Sequence, residues 1–81
     1  MTLSKAIIER INNLMVIKNI ENPYQLALSS GLDESVVRGV LSGRTKHPNS
    51  HTMFYIAFGF GMTLSEFYND TLFNFDNIDD N

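Results

Sequence analysis

The stretch from Asn22 to Gly43 constrains this chain most, because it stops one helix and starts another within two residues. Asn22 is a good cap, and Pro23 at the first helical position gives up only an N–H with no intrahelical partner. Gln25 stands three residues after the cap, where a capping box wants Glu or Gln. Gly31 ends this first short helix by taking a positive φ. Asp33 then caps a second one, which carries Val36, Val37, Val40 and Leu41 to about Leu41 or Ser42 before Gly43. Two short helices around a turn of three or four residues must cross steeply. Ala27 falls where their axes come closest, Val37 points back into the angle, and Leu26 and Val40 fill the core beneath. Gly39 is an oddity, since glycine inside a helix costs about 1 kcal/mol relative to Ala.

The rest of the chain also reads as helix. Leu3, Ile7, Ile11, Leu14 and Met15 recur at spacings of three and four, which predicts a helix from about Leu3 to Lys18 capped by Thr2 or Ser4. Residues 43–49, GRTKHPN, form a basic loop. Ser50 or His51 then caps a helix to about Phe60, with Met53, Ile56, Ala57 and Phe60 as its inner stripe. Thr63 and Glu66 make a capping box for a short last helix, whose Leu64, Phe67 and Tyr68 face inward. Residues 1–70 are thus one all-α domain of five helices, and 71–81 are an acidic, aromatic tail. That tail is either disordered or docked through Leu72, Phe73, Phe75 and Ile78.

Charge and composition narrow the functional classes. The chain has 81 residues, no Cys and a net charge of −3. The basic residues Lys5, Arg10, Lys18, Arg38, Arg44 and Lys46 are balanced within 1–70 by Glu9, Glu21, Asp33, Glu34, Glu66 and Asp70. Asp76, Asp79 and Asp80 therefore carry the net charge, and between residues 35 and 65 every charge is basic. The absence of Cys fits a reducing cytoplasm. The charged N-terminal segment is not a signal peptide, and no apolar run approaches the ~20 residues of a membrane span. No phosphate-binding glycine loop and no nucleophile–base pairing is present, which points away from an enzyme and from any cofactor.

The ordered set of residues resembles the lambda-repressor-like, Cro/XRE-type helix-turn-helix DNA-binding domains of bacteria and phages. The resemblance runs from about residue 4 to 70. It is carried by Arg10-Ile11 and Leu14, by Asn22 to Leu32 (NPYQLALSSGL), by Leu41 to Pro48 (LSGRTKHP), and by Ile56-Ala57 with Phe60 to Tyr68. It implies a five-helix fold with a central helix-turn-helix, and a sequence-specific transcriptional regulator, most plausibly a repressor, that binds an inverted repeat as a dimer. The third helix would enter the major groove and present Glu34, Ser35 and Arg38 to base edges. Asn22, Arg44, Thr45, Lys46 and His47 would meet the phosphate backbone. Relatives carry a neutral polar residue where Glu34 stands and a long polar reader where Gly39 stands.

Plainer readings stand beside these. Arg38 could pair with Glu34 on a solvated face, and Glu34 could serve only the helix dipole. Arg44 and Lys46 could be an ordinary charged loop. His47 and His51 are four apart, but no carboxylate or thiol nearby completes a metal site. Phe54, Tyr55 and Phe58 form a second apolar stripe on the fourth helix, which is read as a homodimer interface or as a face covered by the tail. A competing function on the same fold is a protein-interaction module, such as an antitoxin-like partner-binding protein.

Overall fold

In the computed structural model, which describes residues 1–79, Thr2 rather than Ser4 caps the first helix. Its hydroxyl accepts from the Lys5 N–H at 3.1 Å, and α1 runs Leu3–Ile17. The last two residues of the tail expected over 71–81, Asp80 among them, lie outside the described range. Asn22 caps α2 (Pro23–Ser30), its side-chain oxygen accepting from Gln25 N–H at 2.9 Å. Gln25 does not close a capping box. Its Oε1 accepts from Glu21, one residue before the cap, at 2.8 Å. Gly31 ends α2 at φ 72°, the left-handed region in which a side chain is strained.

Asp33 occupies the cap position of α3 (Glu34–Leu41) without a side-chain capping bond. The cap of α4 (Ser50–Gly59) is Asn49, not Ser50 or His51, and its side chain accepts from Thr52 N–H at 2.8 Å. The last helix, α5 (Leu64–Tyr68), opens on a complete capping box. Thr63 N–H donates to Glu66 at 2.9 Å and Glu66 N–H to Thr63 at 3.1 Å. These bonds to Thr63 hold the exposed Glu66 carboxyl below its ordinary pKa, because they favour the charged form. Among the described residues there is no strand, and no helix is long and apolar enough to cross a membrane.

One core joins the helices: Ile7, Ile11 and Leu14 from α1, Leu26 and Ala27 from α2, Val37 and Val40 from α3, Met53, Ile56 and Ala57 from α4, and Phe60 and Phe67. Two expected inner positions are exposed: Leu3 at 41 % and Val36 at 36 %. Ala6 is buried instead. The backbones of α2 and α4 approach each other closely. A Cβ on Gly59 would sit 2.9 Å from Ser30 Cβ and 3.1 Å from Ser30 Cα. The helices meet there across small residues, and Ser30 satisfies its buried hydroxyl on the Ala27 carbonyl. Gly59→Val should therefore lower stability by about 2–3 kcal/mol through overpacking. An unchanged denaturant midpoint would show that the two helices do not need this contact.

The tail folds as two short 3₁₀ turns, Thr71–Phe73 and Phe75–Asn77. Phe73 packs on Tyr68 and Phe67, with ring centroids 4.9 Å and 6.2 Å apart. Leu72 and Ile78 are half-buried, whereas Phe75 is 91 % exposed. The end of the described chain returns to α1: Asp79 N–H donates to the Met1 carbonyl at 3.0 Å. Arg10 clamps the same region. It donates to the carbonyls of Phe67 (2.7 Å) and Glu66 (3.0 Å), pairs with Asp70 at 3.2 Å, and lies over the Phe67 ring at 5.8 Å. The two carbonyls lie in the last turn of α5, where a cation meets the negative end of the helix dipole.

Candidate nucleic-acid interface

On α3, Ser35, Arg38, Gly39 and Ser42 fall at i, i+3, i+4 and i+7 and share one face. Val37 and Val40 lie on the opposite face, in the core. Packing of that apolar face is what turns Ser35 and Arg38 outward, and both are exposed. Glu34 and Arg38 form an i,i+4 ion pair between partly exposed side chains. Such a pair contributes about 0.3–0.5 kcal/mol on a helix surface. Its larger effect is electrostatic: the carboxylate offsets the charge that Arg38 would bring to a ligand.

Gly39 has an explanation in the loop that follows. Thr45 N–H donates to the Gly39 carbonyl at 2.9 Å, drawing residues 44 and 45 back across the helix. A Cβ on Gly39 would meet Thr45 Oγ1 at 2.8 Å and Arg44 Nη2 at 3.3 Å. A side chain at position 39 would displace the Thr45 hydroxyl and the tip of Arg44 from their places on the helix. Gly43, at φ 80°, makes the reversal between helix and loop. The helix gives up roughly 1 kcal/mol of propensity, and the loop gains a seat on the outer face of α3.

The expected backbone-contact residues fall into three places. Arg44 and Thr45 lie over α3, against Gly39. Lys46 and His47, both exposed, line a groove of about 830 Å³ together with Thr2, Ser4, Lys5 and Ile8 at the start of α1, and with Ser42, Gly43 and Asp79. Lys5 thus joins the basic loop, a partnership that its position in sequence did not reveal. Asn22 stands alone at the start of α2, with its side-chain oxygen already engaged as the cap.

On α4, Phe54, Tyr55 and Phe58 are 50 %, 36 % and 59 % exposed. Their rings touch in series, with centroids 5.2 Å and 6.4 Å apart, and His51 lies against Tyr55 at 4.8 Å. The tail packs on α1, Phe67 and Tyr68 and leaves this aromatic stripe uncovered. Compared with known proteins, the chain matches no family model, no curated protein and no solved structure.

Proposed function

We propose that this chain is a lambda-repressor-like helix-turn-helix regulator that binds duplex DNA as a two-fold dimer and acts as a transcriptional repressor. The observation that carries this reading is the outer face of α3, where Ser35 and Arg38 are exposed and Arg44 and Thr45 lie against Gly39. Arg can bond guanine through two donors, Ser is adaptable, and Glu34 can accept from a cytosine amine. Lys46 and Lys5 supply positive charge for phosphates, and His47 lines the same groove with a ring that can donate a hydrogen bond. The α4 aromatic stripe supplies the contact between copies, since a single subunit of this size offers few base contacts.

Selection from genomic fragments at low and moderate salt tests the proposal. The expected product is an inverted repeat with half-sites about 34 Å apart. Arg44→Ala combined with Lys46→Ala should weaken binding to every duplex about tenfold or more, and the slope of log affinity against log salt should shrink by about two. No retained fragment even at low salt, or equal binding by the double variant, would defeat the assignment.

A second reading has its own support. The Glu34–Arg38 pair reduces the field of α3, and Tyr24 and Leu28 on α2 and Val36 on α3 are exposed apolar side chains. Together they suit a protein partner held on the same two helices. Loss of partner binding in a Leu28→Asp variant that still binds DNA would separate the two.

A further inference from the structure

We infer that Arg44 is a base-reading residue rather than only a phosphate clamp, and that it occupies the space of the side chain that Gly39 lacks. The inference rests on the DNA-binding reading above. Gly39 sits in the middle of the face opposite the core, between Ser35 and Arg38 on one side and Ser42 on the other, and is buried there beneath the loop. A reading side chain projecting from that position would start at its Cβ. The Arg44 guanidinium lies 3.3 Å from that point at Nη2 and 3.9 Å at Cζ. The loop therefore places a planar, five-donor group in the space through which a side chain at position 39 would leave the helix.

Two further observations favour reading over simple charge. Arg44 is fixed rather than trailing: the Thr45 N–H bond to the Gly39 carbonyl (2.9 Å) and the Arg44 N–H bond to Ser42 Oγ (3.3 Å) hold the backbone on both sides of its Cα. Its guanidinium is also uncommitted. Arg10 pairs with Asp70 and Arg38 with Glu34, whereas Arg44 has no carboxylate partner among the described residues. Of the arginines on this face, it is the one whose charge and donors are free for a ligand. The ligand chemistry that matches a pre-positioned fork of N–H donors in a major groove is the O6/N7 edge of guanine.

The discriminating variant is Arg44→Lys, which keeps the charge and removes the fork. Selection and competition binding on the intact chain should show a guanine preference at one position of each half-site. In the Lys variant, discrimination at that position should fall by roughly fivefold to a hundredfold. Affinity for unrelated duplex should stay within about twofold, as a retained phosphate-range charge requires. Arg44→Gln should lose both, and an unchanged thermal midpoint confirms that each variant is folded. If the Lys variant selects the wild-type motif with the same stringency, Arg44 is a backbone contact and the inference fails alone. If the wild-type chain retains no duplex, or retains duplex without any motif, the regulatory reading fails and takes this assignment with it.

Discussion

Replacing Phe67 by Ala should lower the unfolding free energy by about 3–5 kcal/mol, the range for truncating a buried aromatic. A domain of this length has a total of about 4–12 kcal/mol, so the variant should be largely unfolded at physiological temperature. The size of the effect follows from position. Phe67 is fully buried, meets Tyr68 and Phe73 edge-on or tilted at 5.1 Å and 6.2 Å, and carries the Arg10 guanidinium over its face. Its ring is where α5, the tail and α1 converge, and neighbours fixed by hydrogen bonds cannot collapse into the cavity. Phe75→Ala is the control: that ring is almost wholly in solvent, and its removal should change stability by no more than about 0.5 kcal/mol. Equal thermal midpoints for the two variants would contradict this view of the core.

Phe54→Glu with Phe58→Glu should convert the proposed dimer to a monomer without unfolding it. Both rings are largely exposed on α4 and neither belongs to the core. Two carboxylates on each copy would oppose one another across a two-fold contact and would have to lose their water. Sedimentation should then give half the wild-type mass. Affinity for an inverted-repeat operator should drop a hundredfold or more, because two tethered half-sites are replaced by one. Affinity for a single half-site should change little. A double variant with wild-type mass would refute the proposed contact between copies on α4.

The parts legible in the sequence were those set by local chemistry. Asn22, Gly31 and the Thr63–Glu66 pair each act within four residues, and each stands in the structure as their spacing implies. Local chemistry also set the limits. The cap of α4 is Asn49, one residue before the expected Ser50 or His51, and only the backbone path decides where among such neighbours a helix begins. Arg10 lies off the apolar stripe of α1, and its role was hidden because its partners are 56 to 60 residues away, beyond any periodicity. Gly39 was visible as a cost, but its reason lies in a hydrogen bond from a loop that sequence showed only as basic. Gly59 carried no signal, since a glycine near a helix end is ordinary and its contact with Ser30 belongs to the packing of two helices. The candidate site divided in the same way. The outward turn of Ser35 and Arg38 follows from the periodicity of Val37 and Val40. The meeting of Lys46 and His47 with Lys5 required the fold.

The loop seated on Gly39 also limits the vocabulary of a DNA reader built this way. At Gly39 the outward surface of α3 is covered by the chain itself, which leaves few side chains of the helix free on that side, so each subunit could spell only a short word. Many places in a genome would carry such a word by chance. Discrimination would then fall to the distance between two copies of it and to how readily the intervening base pairs bend or narrow to hold them in register. Sequence changes in that untouched spacer should matter as much as changes in the letters themselves.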